Sequence, residues 1–392
     1  MTSSETGPCL SDTARLLSAY LGRRFYADNS VSVLHNGDAI FPSMCQAIDA
    51  AVNSVEFQTF VYWQGEIAVD FARHLSAAAG RGVNVRVLLD SYGAMHIDRN
   101  ALRILEQNCN VCWFRPLKKF CFWQNLKRSH RKLLICDGEV GFTGGVGIAQ
   151  EWTGNGDRAG SWRDSHFMLK GPIVATLRAA FLEGWLESCH PADAFTETVS
   201  DSVIEKAGAE RILPVSSTAS DYWSSAGTML LSSIAVAKTS LKITTPYFVL
   251  DRKLKDQLLA AMDRGVDIQI IIPAYRNSDS HMAGLAALYC VPPLVEKGIR
   301  VYSFEPTLNH NKCIIVDDQV AIIGSVNFNQ RSQRKDDEFS LVIDGGETLP
   351  QLLADFTADL ESSTLLSPGL IKKRHKYLGN VARLIQPVRR HI

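Results

Sequence analysis

SHRKLLICDGEVGFTGG, residues 129 to 145, returns 180 residues later as NHNKCIIVDDQVAIIGS, residues 309 to 325. Each copy carries an imidazole (His130, His310), a fixed cation two residues on (Lys132, Lys312) and a carboxylate five residues beyond that (Asp137, Asp317). Each closes on a pair of small residues, Gly144-Gly145 and Gly324-Ser325. In a strand, residues two apart share a face, so each His and its Lys point the same way. The Asp falls at an odd spacing from the Lys and is expected at the strand end, orienting a neighbour or tying the turn. Small residues where each copy ends let backbone amides approach a ligand oxygen, which suits phosphate. Two such copies in one chain point to one active site built from two halves, with two imidazoles facing each other across a substrate.

The repeat extends outward from the motifs. Arg81-Gly-Val-Asn-Val-Arg-Val-Leu-Leu-Asp90 matches Arg264-Gly-Val-Asp-Ile-Gln-Ile-Ile-Ile-Pro273, and in both a helical stretch (67–79, 254–263) stops at Gly and becomes a β-branched run. Upstream, Ser54-Val-Glu-Phe-Gln-Thr-Phe-Val61 pairs with Ser240-Leu-Lys-Ile-Thr-Thr-Pro-Tyr247, with Tyr62 and Tyr247 closing the two strands. Alternating helices and strands predict an α/β layered fold of two pseudo-symmetric halves, each α/β/α, packed around one shared site. The division is placed at 1–200 and 201–392. The seam lies between Cys189 and about Tyr222, where Pro, Asp, Ser and Thr replace the periodic pattern. A helix from Ser363 onward and a basic tail have no counterpart in the first half.

The chain has 392 residues, 46% hydrophobic and 21% charged, enough for a sizeable core. Its net charge of zero hides segregation. Between Gln107 and Cys136 there is no acid but seven bases, and after Glu361 again no acid and seven bases. Such separation suits a polyanionic partner, a membrane surface or nucleic acid. Phe120, Phe122 and Trp123 interleave with the first basic run, as in a loop that presses into lipid headgroups, though a solvated basic loop has the same composition. The nine cysteines form an odd set without zinc spacing and read as reduced thiols of a cytosolic chain. The N-terminus lacks a signal-peptide pattern. No apolar run is long enough to span a bilayer; the nearest, Met282 to Val295, is short and contains Pro292-Pro293. Any membrane association is therefore expected to be peripheral. His35, His74, His96, His166 and His281 have no ligand spacing, and no metal site is expected.

The paired His-x-Lys-x4-Asp motifs, each followed by Gly-Gly or Gly-Ser, resemble the phospholipase D superfamily. The resemblance runs from about Val31 to Pro387 and extends to Trp162-Arg-Asp164, Asp337-Glu-Phe339, Asn327, Arg331-Ser332 and Thr245-Pro-Tyr-Phe248. Within the superfamily the chain looks most like bacterial cardiolipin synthases of the form without N-terminal membrane spans. The resemblance implies phosphatidyl transfer on anionic phospholipids, phosphatidylglycerol giving cardiolipin, at the cytoplasmic face of the inner membrane. Hydrolysis of phospholipid or nucleic acid is the alternative, with nucleic acid less favoured as a partner. It also implies a phosphohistidine intermediate without metal or cofactor. His130 is expected as nucleophile and His310 as acid and base, the reverse remaining open. Lys132, Lys312 and Asn327 would neutralise the phosphoryl oxygens, Asp164 would orient His130, and Glu338 would orient His310. Gly147 stands where the family often places Asn, which puts substrate preference in doubt.

Overall fold

The computed structural model describes residues 9–117, 126–189, 206–220 and 222–371. After helix α1 (Asp12–Leu21), the first half runs β1 (Tyr26–His35), α2 (Asn36–Ala50), β2 (Ser54–Thr59), α3 (Glu66–Gly80), β3 (Asn84–Asp90), α4 (Arg99–Asn108) and β4 (Asn110–Phe114). It continues with the short β5 (Arg128–Ser129), β6 (Leu133–Cys136), β7 (Val140–Gly144), β8 (Ser165–Lys170) and α5 (Ile173–Ser188). The second half opens with β9 (Glu210–Ser217), α6 (Ser225–Val236), β10 (Ser240–Thr244), α7 (Arg252–Asp263), β11 (Asp267–Pro273), α8 (His281–Cys290), α9 (Pro292–Val295) and β12 (Arg300–Phe304). It closes with β13 (Cys313–Val316), β14 (Val320–Gly324), α10 (Gln330–Arg334), β15 (Asp336–Asp344), α11 (Thr348–Glu361) and β16 (Ser363–Leu365).

Fifteen of these strands lie side by side in the order β16-β12-β11-β10-β13-β14-β15-β9-β1-β8-β7-β6-β2-β3-β4. From its centre outward the order mirrors itself: β9-β15-β14-β13-β10-β11-β12 on one side, β1-β8-β7-β6-β2-β3-β4 on the other. The two equivalent strands β1 and β9 meet antiparallel at the seam, Tyr26 opposite Ile212 and Asn29 opposite Glu210. Within each half β2–β3–β4 and β10–β11–β12 are parallel, crossed over by helices, while the motif hairpins β6–β7 and β13–β14 run antiparallel.

Three apolar clusters form the core. One belongs to the first half and one to the second. The third is shared: α5, through Ile173, Leu177 and Phe181, and α11, through Leu349, Leu352 and Phe356, pack with strand residues of both halves. Helix α1 departs from the expected division at residue 200. Ala14 and Leu17 are fully buried in the second half's core beside Leu213 and Leu230, so the chain begins by covering the domain it finishes with. Burying Leu17 contributes about 1.5–3 kcal/mol to docking this ten-residue helix, whose ends are capped by Ser11 and Gly22.

Two further expectations need correction. Residues from Ser363 do not begin a helix: Ser363–Leu365 pair antiparallel with β12, extending an otherwise open sheet edge. The cysteines are not all free, since Cys112 on β4 and Cys189 just after α5 are joined as a disulfide. Cys136 and Cys313 are buried thiols within the motif strands. The aromatic-basic positions 118–125 and the basic tail from 372 lie outside the described residues. Among the described residues, no helix is long and apolar enough to cross a membrane.

Candidate active site

Each motif turn is fixed by its own aspartate. Asp137 and Asp317 adopt left-handed backbone conformations (φ 54° and 55°), which a short polar side chain tolerates at a tight turn. The Asp137 carboxylate accepts from the backbone N–H groups of Val52, Asn53 and Ser54, at 2.9, 2.7 and 2.8 Å. Asp317 does the same for Lys238, Thr239 and Ser240. These carboxylates tie the loop entering β2 or β10 to the far end of the motif strand. Of the two parts expected of each Asp, tying the turn is the one these bonds perform, and both carboxylates anchor the strands that carry His and Lys.

The histidine ends of the motifs are held by the opposite half. β5 pairs in parallel with β15, Arg128 opposite Asp336, and the His130 N–H donates to the Asp337 carbonyl at 2.8 Å. In mirror fashion the His310 N–H donates to the Arg163 carbonyl at 2.7 Å, beside a bridge between Arg163 and Asn309. The next residue on each supporting strand supplies the carboxylate, so the dyads are crossed. His130 Nδ1 lies 3.1 Å from Glu338 Oε2, and His310 Nδ1 lies 2.8 Å from Asp164 Oδ2. This reverses the expected pairing of Asp164 with His130 and Glu338 with His310.

The small residues after each motif serve these carboxylates. A Cβ on Gly145 would stand 2.4 Å from Asp164 Oδ1, so only glycine leaves room for the carboxylate. Asp164 then accepts from Trp152 Nε1 at 2.9 Å and from the Ser165 amide at 2.8 Å. In the other half Ser325 replaces Gly145 and Ser332 replaces Trp152, and both hydroxyls donate to Glu338. The Gly145 and Ser325 amides donate across the strand ladder, to Ser165 and Phe339 carbonyls. A Cβ at Gly144 or Gly324 would meet the neighbouring strand at 2.6 or 2.4 Å. The phosphate cradle expected of these four residues is corrected to close strand packing behind the carboxylates paired with the two histidines.

Both imidazoles and both lysines are buried. Lys132 Nζ donates to the His130 carbonyl at 2.8 Å and Lys312 Nζ to the His310 carbonyl at 2.7 Å, folding each ammonium back toward its own histidine. Burial lowers the Lys312 pKa to about 8. Burial and the neighbouring Lys312 lower that of Lys132. The His130 pKa is pushed well down by burial, then by the charges of Lys132, Lys312 and His310. His310 is lowered by burial and Lys312, but Asp164 opposes both. Burial works against the Asp164 charge too, yet the hydrogen bond and charge of His310 outweigh it and the carboxyl stays below its usual range. Glu338 goes the other way, raised by burial despite Lys132 and the two serine hydroxyls.

The surroundings are unequal as well. His310 is packed by aromatic rings: Trp162 stacked at 5.6 Å, Trp152 edge-on at 5.1 Å and Tyr247 edge-on at 6.0 Å. Among the described residues the one ring against His130 is Phe60, at 5.3 Å, and its flank is charged: Arg128, Asp90, and Arg331 bonded to Asp336 at 2.9 Å. Asn327 is buried, and its Oδ1 has no partner among the described residues; a phosphoryl oxygen would take the NH2 of this amide, not its oxygen. Gly147 leaves no gap opposite: its Cβ would stand 2.7 Å from that of Val61. Val61, not Tyr62, is the counterpart of Tyr247, and Tyr62 is fully buried with its hydroxyl on the Ala68 carbonyl. Trp152 and Phe60 escaped the reading of the sequence, which named Ser332 without giving it a task. Aligning the two motif sequels would have paired Trp152 with Ser332, but not shown that they share a task. No group of three or more His, Cys, Asp or Glu among the described residues is placed to hold a metal ion.

Known proteins share this construction. A family model described as cardiolipin synthase, PLD-like domain, matches residues 44–169 and 230–360. The chain is 30% identical over 348 residues to the probable cardiolipin synthase YwiE of Bacillus subtilis (strain 168), covering 88% of this chain and 69% of that protein. It is 31% identical over 371 residues to cardiolipin synthase 1 of Bacillus anthracis, covering 92% and 72%. The crystal structure of phosphatidylserine synthase from Haemophilus influenzae Rd KW20 superposes with a TM-score of 0.76 over 97% of this chain and 100% of that one, at 15% identity, a likeness of fold. Two motif copies, each locked by the other half, and a family match spanning both place this chain in the cardiolipin synthase family with phospholipase D-like domains.

Proposed function

We propose that the chain transfers a phosphatidyl group between two phosphatidylglycerol molecules, yielding cardiolipin and glycerol. His130 Nε2 attacks phosphorus while the bond to the departing glycerol oxygen breaks, and His310 gives that oxygen its proton. The primary hydroxyl of a second phosphatidylglycerol then attacks the phosphatidyl-His130 intermediate, passing its proton to His310 as the P–N bond breaks. Lys132, Lys312 and the Asn327 amide neutralise the non-bridging oxygens, the main electrostatic demand of phosphoryl transfer.

The observation that carries this reading is the pair of crossed dyads beside two buried lysines. Their inequality supports the division of labour. Asp164 stays ionised against His310, so an imidazolium there is stabilised; His130 faces cations and a carboxyl that burial tends to neutralise, so it stays unprotonated and nucleophilic. The names carried by the relatives support the choice of lipid. Phospholipid substrates place the protein at the membrane surface, and we assign it to the cytoplasmic face.

The test is incubation of purified protein with phosphatidylglycerol vesicles, following cardiolipin and glycerol in equal amounts, with His130→Ala as control. A phosphatidyl adduct formed in His310→Ala from a phosphatidyl ester of p-nitrophenol, whose leaving group needs no proton, and mapped to His130 is the expected intermediate. Phosphatidic acid without cardiolipin would reduce the activity to hydrolysis, and an adduct on another residue would overturn the mechanism.

A further inference from the structure

The mouth of the site on the second half is bordered by a helix with an unusual outer face. From Met282 to Val295 no residue is charged, and α8 makes up most of that run. The helix is nevertheless at the surface: Met282 is 41% and Tyr289 37% exposed. A helix that shows water an uncharged, largely apolar face is out of place on a protein that meets only water. Its position ties it to the chemistry. Asp279, two residues before α8, accepts from the Tyr247 hydroxyl at 2.6 Å, and the Tyr247 ring meets His310.

Tyr289 and Pro293 line one side of a cleft that joins the end of α8 to the start of α7, and its other side is charged: Arg252 and Lys255 with Asp251 and Asp256. Next to Arg252, the Lys253 ammonium lies 5.0 Å from the centre of the Trp223 ring. Trp223 is 53% exposed and Tyr222 90%. Apolar helix, exposed tyrosine and tryptophan, and a start of α7 that is net positive, with Arg252, Lys253 and Lys255 against Asp251 and Asp256, make up the composition of surfaces that rest at the boundary between headgroups and acyl chains. The equivalent loop of the first half, after β3, also exposes apolar side chains, Tyr92 and Met95.

We propose that the outer face of α8, with Tyr222, Trp223 and the basic start of α7, is the surface that seats this protein on an anionic phospholipid bilayer, with the mouth beside His310 turned toward the lipid. The proposal rests on the phosphatidyl-transfer reading for its choice of occupant. A bilayer is favoured over a second copy of the chain because this same mouth must receive two lipid substrates. Cations beside aromatics also complement anionic headgroups.

The experiment compares the full chain with Met282→Asp/Tyr289→Asp and, separately, Trp223→Ala. Binding is measured by co-flotation with vesicles of phosphatidylglycerol and phosphatidylcholine, or of phosphatidylcholine alone. Turnover is measured on the same vesicles and on short-chain phosphatidylglycerol dispersed as monomers. Bilayer seating predicts that the double substitution lowers vesicle binding and vesicle turnover together, at least tenfold, with turnover of monomeric lipid within about twofold of the parent. Trp223→Ala is expected to lose a few-fold in binding. Unchanged flotation overturns the proposal. So does a parent chain that sediments as a dimer and a double variant that sediments as a monomer, because the face then belongs to a second copy. A parent inactive on both lipid forms yet floating with anionic vesicles sinks the transfer reading and leaves the seating surface standing.

Discussion

Replacing Asp164 by Asn tests the crossed dyads and the roles of the two histidines together. In the parent, the Asp164 carboxylate receives three donors: His310 Nδ1 at 2.8 Å, Trp152 Nε1 at 2.9 Å and the Ser165 amide at 2.8 Å. An asparagine can turn its oxygen to one side only. Its NH2 then faces either the Ser165 amide or the pair formed by His310 and Trp152, and a donor meets a donor in both orientations. Loss of the charge-assisted bond to the imidazolium is worth about 1.5–3 kcal/mol, roughly 10- to 150-fold in rate. A forced change of imidazole tautomer carries the loss toward ~10⁴. The assay compares phosphatidylglycerol, whose glycerol must be protonated as it departs, with a phosphatidyl ester of p-nitrophenol, which departs as a stable anion. If His310 is the acid, Asp164→Asn slows glycerol release by about 10²–10⁴ and nitrophenol release by less than ~10. Glu338→Gln, acting on the nucleophile, slows both substrates by similar factors. The opposite pattern, with Glu338→Gln sparing the nitrophenyl ester and Asp164→Asn sparing neither, refutes the assignment and makes His310 the nucleophile.

Two other outcomes follow from the same geometry. Burial lowers the Lys312 pKa to about 8, and only its protonated form neutralises phosphate, so kcat/KM should fall as pH rises through about 8. The bound phosphodiester anion favours the ammonium and moves the corresponding fall in kcat to higher pH; a kcat/KM that stays flat well above pH 9 would remove Lys312 from phosphate binding. Asp137→Ala takes acceptors from three backbone amides and leaves alanine at φ 54°, so thermal unfolding should show about 2–4 kcal/mol lost stability with kcat of the folded fraction little changed; a kcat collapse at unaltered stability would return Asp137 to the chemistry.

The duplication was legible because it was written twice. Arg81-Gly-Val and Arg264-Gly-Val both mark a helix giving way to a strand, and the structure has α3–β3 and α7–β11 there. Periodicity describes one strand at a time, however, and cannot say which strand of the other half lies beside it. Asp164 precedes β8 and Glu338 lies on β15, each in the half of one histidine and beside the other, so the pairing drawn from the resemblance, each carboxylate with the histidine of its own half, named the wrong partners. Helix α1 deceived for a related reason, being adjacent in sequence to the half it does not join. The residues Gly144, Gly145, Gly324 and Ser325 were singled out for their size, rightly, but small size fits a carboxylate or a neighbouring strand as well as a phosphate. Ser363–Leu365 form a strand because β12 offers an open edge, a circumstance absent from their own sequence.

The antiparallel meeting of β1 with β9 is what a two-fold axis makes of one strand and its own copy. The chain is thus built as an isologous dimer whose subunits have been joined end to end. Once joined, the two copies were free to diverge at matched positions: Gly145 with Trp152 in one, Ser325 with Ser332 in the other. A symmetric ancestor would give its two imidazoles identical affinities for a proton. Joining the copies removes that constraint, and the unequal surroundings of the two imidazoles are what the separate roles proposed for them require.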